Sequence, residues 1–221
     1  GKMGNLKFMK FKNMEETTQE EVPEEETSAL QSDLLSMLAD DARMVGLYGE
    51  VNEENCRTLI SHLYSINIMD KKKVQPGEEN QDPIEPIEML VSTEGGAVTE
   101  MFSTIDVMRN IMKTCEIHTI GLGKVMSAGI LVLASGTKGK RKVGKYTRLM
   151  LHSISGGDFG SIKQLENNIK EVKWYQDNYI KALTECSNLS SRQLKAIFRK
   201  KSDTYFDAEQ AIKWGIADEI I

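Results

Sequence analysis

The sequence predicts one α/β domain in which helices pack on sheets. Short apolar runs alternate with longer amphipathic segments along the chain, and this alternation of strands and helices is typical of that fold class. No proline follows Pro86, so the alternation continues without a proline break from Ile87 onward. A chain of 221 residues is long enough for one well-buried core, whereas two full domains would be cramped.

Composition indicates a soluble globular protein. Hydrophobic residues make up 40% of the chain and charged residues 28%, which are ordinary shares for this class. The net charge of −5 provides no electrostatic attraction for nucleic acid or anionic lipid. The most apolar run, over 125–134, is half of the roughly 20 residues that a membrane-spanning helix needs. We therefore expect neither a nucleic-acid nor a membrane partner.

The cysteines indicate a reducing compartment. Cys56, Cys115 and Cys186 are odd in number, widely spaced and outside any metal-binding pattern. Without a disulfide framework or a signal peptide, the expected location is the cytoplasm. We predict no metal and no cofactor.

An acidic tail is expected over residues 1–29, ahead of the folded domain over 30–221. Seven glutamates lie between Glu15 and Glu26, around Pro23. Such a run cannot bury enough apolar surface to offset its ordering entropy, so we predict disorder. The alternative is an arm that binds a partner.

The first half of the domain is predicted to contain two helices, one strand and a loop. In order, these are a short helix over 32–38, a buried strand over 43–49, a helix over 53–68 and a surface loop over 71–86. The second helix carries apolar residues at helical spacing, namely Leu59, Ile60, Leu63 and Ile66. The loop contains three of the four prolines.

The second half alternates more regularly. Its predicted elements are a strand over 87–91, a helix over 97–112, a strand over 117–122, a short buried helix over 127–135, a strand over 149–151 and a long amphipathic helix over 161–186. Ser190 and Asp207 each stand three residues before a glutamine, which predicts capping boxes and two further helices. Gly215 is expected to end the last one.

Ser127 is the candidate nucleophile. It should lie where a strand ends and an apolar helix begins, where its hydroxyl would be exposed and the following N–H groups would face an anion. Val125 occupies the first glycine position of the Gly-x-Ser-x-Gly motif, so that motif is absent here. The alternative is a helix N-cap serine, which is a common role.

His152 is the candidate base. It ends an apolar strand directly before a Ser-Ile-Ser-Gly-Gly turn, whereas His62 falls on an amphipathic helix and His118 within a strand. Asp203, just before Tyr205, is the candidate orienting acid. The alternative for His152 is a partly buried, hydrogen-bonded histidine, and the alternative for Asp203 is a loop or cap aspartate.

The pair Gly95-Gly96 completes the set, because glycines let backbone N–H groups approach a carbonyl oxygen. Its alternative is a plain strand-to-helix turn. Taken together, nucleophile, base, acid and backbone donors form an acyl-transfer site. The sequence therefore predicts a serine peptidase.

Over roughly residues 30–221 the chain resembles ClpP-type proteolytic subunits. The resemblance rests on an ordered series of segments: Val91-Ser92-Thr93-Glu94-Gly95-Gly96, Met126-Ser127-Ala128-Gly129, Gly136-Thr137-Lys138-Gly139-Lys140-Arg141, Arg148-Leu149-Met150-Leu151-His152, and Asp203-Thr204-Tyr205-Phe206-Asp207-Ala208 with Trp214-Gly215-Ile216-Ala217-Asp218.

This resemblance implies a ClpP/crotonase-like fold of stacked β-α-β units with a protruding handle helix over 161–186. It implies that Ser127 is the nucleophile, His152 the base and then the acid, and Asp203 the holder of the imidazole tautomer. The N–H groups of Gly96 and Ala128 would form the oxyanion hole.

The resemblance also implies partners. Subunits of this family form heptameric rings that stack in pairs into a chamber, and an ATP-dependent unfoldase feeds protein substrates into it. The chain carries no Walker A motif with which to do that work itself.

Several positions differ from the family pattern. Glu94 replaces a usual proline, Ala128 a usual methionine, and Ser202 an arginine that commonly pairs across rings. The positions of the family's aromatic docking surface hold Glu88, Leu90, Lys142 and Gly144, so the contact with an unfoldase is expected to differ. These differences indicate a divergent member.

Three other functions remain open. One is a catalytically weak or inactive ring subunit with an assembly or regulatory role, which the complete set of Ser127, His152 and Asp203 disfavours. Another is a virus-type maturation protease, which oligomer size would distinguish. The third is a crotonase-like acyl-CoA enzyme, which would not need these three residues in this order.

Overall fold

The structure, a computed structural model, describes residues 43–74, 76–77, 83–156 and 159–221. The predicted acidic tail, the start of the domain near residue 30 and the helix predicted over 32–38 lie outside these ranges. The helices and strands that carry the candidate site all lie within the described ranges.

The described residues form an α/β fold, as predicted, and their strands belong to one sheet. Its seven strands are β1 (Met44–Val51), β2 (Ile87–Gly96), β3 (Ile117–Met126), β4 (Lys142–Val143), β5 (Arg148–Leu151), β6 (Thr204–Phe206) and β7 (Glu219–Ile220). The strand order is β1-β2-β3-β4-β7, and β5 pairs with both β3 and β6. All pairs are parallel except β5 with β6.

Six helices of the described ranges connect or cover these strands. They are α1 (Glu53–Lys73), α2 (Val98–Ile111), α3 (Ala128–Ala134), α4 (Ile162–Cys186), α5 (Ser191–Phe198) and α6 (Ala208–Lys213). The predicted apolar face of α1 is correct, since Leu59, Leu63 and Ile66 are buried. None of these helices is both long and apolar enough to cross a membrane.

Burial alternates along the central strands, so one face of the sheet carries the more deeply buried side chains. In β2, alternate residues from Ile87 to Gly95 are buried, because successive side chains of a strand point to opposite faces. Helix α3 is buried along its whole length, which matches its uninterrupted apolar sequence. It packs beside β2 and β3 and fixes the segment that precedes it.

Strand β3 changes partner along its length. Its middle residues Ile120 and Gly121 pair with β4, whereas Lys124 to Met126 pair with β5. The sheet therefore divides at this point. The end of β3 and the end of β5 lie side by side as a consequence.

Some predicted boundaries are wrong. Strands β2 and β3 extend to Gly96 and Met126, so the glycine pair belongs to the strand rather than opening a helix. The predicted loop over 71–86 begins too early, because α1 continues to Lys73 with a basic last turn that suits a helix C-terminus. The short strands β4, β6 and β7 were not predicted, because two or three residues are too few to show the hydrophobic alternation of a strand.

The handle helix α4 begins with the capping box of Ser161 and Gln164. Its first two turns are exposed to solvent on nearly every side, whereas Tyr179, Ile180 and Leu183 near its end are buried. Ser190 also forms a capping box, and the Asp207 side chain accepts a hydrogen bond from the Gln210 N–H. Gly215 follows the C-cap of α6, as expected.

A buried ion pair fastens the C-terminal segment to the body of the fold. Arg141 is 1% exposed and donates to both carboxylate oxygens of Asp218, each at 2.8 Å. It also donates to the carbonyl oxygens of Ala134 and Cys186. These acceptors satisfy the guanidinium in an otherwise apolar environment, as a buried charge requires.

Candidate active site

The candidate site lies where the carboxyl ends of neighbouring strands converge. Val51 at the end of β1 pairs with Gly96 at the end of β2, and Met126 at the end of β3 pairs with Met150 of β5. Loops after parallel strands meet at this edge of a sheet, which is where α/β proteins place their ligands. Ser127 directly follows β3 and His152 directly follows β5.

Ser127 is held in an unusual backbone conformation. Its φ of 55° and ψ of −116° lie in a region that non-glycine residues rarely occupy, and such strain concentrates at functional sites. Ser127 stands at the N-cap position of α3, but its side chain makes no capping hydrogen bond. Its hydroxyl is directed instead to His152.

The structure brings Ser127, His152 and Asp203 together. His152 Nε2 lies 2.8 Å from Ser127 Oγ, and His152 Nδ1 lies 3.4 Å from Asp203 Oδ1. Side chains of the histidine and the aspartate are 38% and 45% exposed. The first distance is that of a good hydrogen bond, whereas the second is longer than the usual 2.7–3.2 Å.

The two glycines are required by close backbone contacts. A Cβ on Gly95, whose φ is +97°, would lie 2.8 Å from Ser127 Cβ and 3.0 Å from the Met126 carbonyl oxygen. A Cβ on Gly96 would lie 2.3 Å from the Val51 carbonyl oxygen. Only glycine therefore lets β2 approach the serine turn this closely.

A cavity of about 330 Å³ opens beside the serine. Ser127, His152, Gly96 and Ala128 all line it, so the predicted oxyanion-hole residues border the same space as the hydroxyl. The rest of the wall is formed by Glu94, Ala97, Val98, Met101, Ile154, Ser155 and Tyr179. The cavity thus places Ser127 and His152 beside a wall of mixed polar and apolar side chains.

Tyr179 is a site residue that sequence reasoning did not identify. Its hydroxyl donates a 2.7 Å hydrogen bond to the carbonyl oxygen of Ser127, and that oxygen also accepts from the Ile130 N–H at 3.1 Å. Burial raises the pKa of the Tyr179 phenol, which keeps it protonated as a donor. No motif links it to Ser127, because the contact depends on how α4 packs on α3.

Other candidates from the sequence lie elsewhere. His62 is exposed on α1, and His118 in β3 pairs with Glu116 at 2.6 Å. Neither borders the cavity. Within the described ranges, no three His, Cys, Asp or Glu side chains gather as a metal ion would require.

A family of known proteins and several curated proteins match most of this chain. The sequence model described as Clp protease matches residues 25–221. Among curated proteins, the chain is 29% identical over 189 residues to the ATP-dependent Clp protease proteolytic subunit 2 of Chlamydia trachomatis, covering 86% of this chain and 85% of the relative.

Two further relatives match at similar levels. The corresponding subunit 2 of Chlamydia pneumoniae and subunit 1 of Chlamydia felis are each 28% identical over 189 residues, again covering 86% of this chain and 85% of each relative. The similarity therefore extends over most of both chains rather than over one motif.

Proposed function

Because the chain belongs to the Clp protease family, we propose that it is a serine endopeptidase subunit that hydrolyses peptide bonds of unfolded proteins. The observation that carries this proposal is the 2.8 Å contact between Ser127 Oγ and His152 Nε2 at a strained turn beside a cavity. An activated serine needs a base within this distance.

The proposed reaction proceeds through an acyl-enzyme. Ser127 Oγ attacks the scissile carbonyl carbon while His152 Nε2 takes the hydroxyl proton, and His152 then returns that proton to the leaving amine. Water next attacks the ester on Ser127, again giving a proton to His152. The carboxylic acid product leaves as Ser127 regains its proton.

Asp203 is proposed to hold the imidazole in the tautomer with the proton on Nδ1. This tautomer leaves the Nε2 lone pair free to accept from Ser127, which matches the arrangement of the three side chains. The separation of 3.4 Å is expected to shorten when substrate binds or subunits assemble, because catalytic hydrogen bonds are often loose in the empty site.

The oxyanion hole is proposed to consist of the Gly96 and Ala128 N–H groups. Both residues line the cavity beside the serine, and Ala128 is the first residue of α3. Backbone donors fixed before the reaction stabilise the developing negative charge without a reorganisation cost. The close approach of Gly95 to the serine turn supports their positioning.

The assembly is proposed from the family. We expect heptameric rings, stacked in pairs around a chamber, with α4 as the handle that joins them, and an ATP-dependent unfoldase as partner. The relatives are themselves named ATP-dependent. The exposed first half of α4, with Ile162, Leu165 and Ile169 facing solvent, supports a contact between copies.

We also propose a cytoplasmic location. The three cysteines are free thiols, which fits a reducing compartment.

A fluorophosphonate probe tests the chemistry. It should form one covalent adduct on Ser127, detected by intact mass and peptide mapping, and Ser127→Ala should abolish both the adduct and peptide cleavage while rings still assemble. Ser135→Ala, at the other end of the same helix, is the matched control and should label normally. An assembled ring without any adduct would instead indicate a non-catalytic ring subunit.

A further inference from the structure

The wall of the cavity beside Ser127 combines apolar side chains with one carboxylate. Val98, Met101 and Ile154 supply apolar surface, and Glu94 is the one carboxylate among the lining residues that the structure describes. The other titratable groups of the wall are His152 and the protonated Tyr179. The described lining residues therefore include one negative charge and no fixed positive charge.

Glu94 has a position and a charge suited to a substrate contact. It lies near the end of β2, directly before the glycine pair, and its side chain is 49% exposed. Its own backbone N–H and the ammonium of Lys124 lower the pKa of its carboxyl group. The carboxylate is therefore ionised at neutral pH.

Within the described ranges, Lys124 forms an ion pair with Glu94, and a substrate cation would compete with it for the Glu94 carboxylate. Its Nζ lies 3.0 Å from Glu94 Oε2, and its side chain is also 49% exposed. An exposed ion pair of this kind contributes little to stability, so a second cation can share or replace it at small cost. Lys124 itself does not line the cavity.

We propose that Glu94 is a specificity-determining residue that selects peptide substrates with a lysine or arginine side chain in this cavity. The apolar wall accepts the methylene stem, while the Glu94 carboxylate pairs with the cationic end; long cationic side chains commonly bury their stems in this way. This inference rests on the proposed peptidase function of the same site.

The test uses two peptide series that differ by one charge. Otherwise identical fluorogenic peptides carry either lysine or norleucine next to the scissile bond, so that the stem is kept and only the ammonium is removed. The ratio of kcat/KM for lysine over norleucine is measured within each variant, which cancels any general change in activity. The assembled protein is used throughout.

In the wild type, kcat/KM for the lysine peptide should be about three to five times that for the norleucine peptide, as expected for one partly exposed charge pair. Glu94→Gln should bring the ratio to about one, because it keeps the shape and removes the charge. Lys124→Met should raise the ratio, because it removes the competing cation. Raising the salt concentration should lower the wild-type ratio by screening the pair.

A wild-type ratio at or below one, or a ratio unchanged in Glu94→Gln, overturns the inference. Fluorophosphonate labelling separates this failure from failure of the proposed function. An adduct on Ser127 without lysine preference rejects the role of Glu94 alone, whereas the absence of both adduct and cleavage of any peptide rejects the peptidase function and the inference with it.

Discussion

The hydroxyl of Tyr179 donates a hydrogen bond to the carbonyl oxygen of Ser127 at 2.7 Å. The two residues are 52 positions apart, and the bond joins the buried end of α4 to the turn that carries the candidate nucleophile. A change in the packing of the handle helix can thereby reach the serine without any contact to its hydroxyl.

Tyr179→Phe should slow fluorophosphonate labelling of Ser127 by about threefold to tenfold, because the strained turn loses one of its restraints. The free energy of unfolding should fall by about 1 kcal/mol, the usual value of one hydrogen bond. Tyr175→Phe is the matched control, since that ring stacks on Phe102 and lies outside the cavity wall. Equal labelling rates in the two variants would contradict a positioning role for Tyr179.

Gly95→Ala should destabilise the protein and abolish labelling of Ser127. Its Cβ would have to overlap Ser127 Cβ at 2.8 Å, in addition to the strain of a φ of +97°. Gly139→Ala separates the two effects, since Gly139 has a similar φ of +88° with nothing within 4 Å of its Cβ. Thermal unfolding should show a loss of about 1 to 2 kcal/mol for Gly139→Ala and a larger loss for Gly95→Ala. Comparable losses would show that crowding at the serine turn is unimportant.

Asp203→Asn should lower kcat for peptide cleavage by about a hundredfold. An amide cannot stabilise the imidazolium and can favour the wrong tautomer; a buried aspartate in such a triad contributes about 10⁴, and the half-exposed Asp203 should contribute less. Asp207→Asn is the control, because asparagine caps a helix as well as aspartate does and Asp207 serves as the N-cap of α6. If both variants cleave at the wild-type rate, Asp203 has no part in the reaction.

Asp218→Asn should reduce the free energy of unfolding at neutral pH by about 3 kcal/mol, because it leaves the buried charge of Arg141 unpaired. Hydrogen bonds from Arg141 lower the pKa of the Asp218 carboxyl in the folded protein. Its contribution is therefore fully present above the ordinary aspartate pKa of about 4 and is lost as the pH falls through the lower folded value. Tm should be measured for both proteins from pH 7 down to pH 3.

The difference in Tm between wild type and Asp218→Asn should narrow on acidification. A difference that stays constant over this range would mean that the Asp218 charge is not what stabilises the C-terminal segment. The candidate site should be unaffected at neutral pH, since neither residue of this pair lines the cavity.

The long periodic elements could be predicted from the sequence, and the short ones could not. Helix α2 was expected within one residue at each end, because its apolar side chains recur at helical spacing over 14 residues. Strand β6 has three residues and exists because it pairs with β5. Pairing of that kind depends on residues more than 50 positions away, which no local pattern contains.

The candidate site shows the same division. Ser127, His152 and Asp203 were expected from the order of their motifs, and they lie together in the fold. Tyr179 and the pairing of Glu94 with Lys124 were not expected, because the first contact needs α4 to pack on α3 and the second needs β2 to lie beside β3. Both contacts join residues that are close in space but distant in the chain.

By itself, the sequence determined the α/β class, the periodic elements and the chemical identity of the three candidate side chains, because hydrophobic period and residue type are local properties. Only the tertiary structure decided the 2.8 Å distance from His152 to Ser127, the place of the Glu94 carboxylate in the cavity wall and the hydrogen bond from Tyr179 to the serine turn. Hydrogen bonds, charge pairs and steric contacts act over a few ångströms, so they are fixed when packing sets the distances between elements.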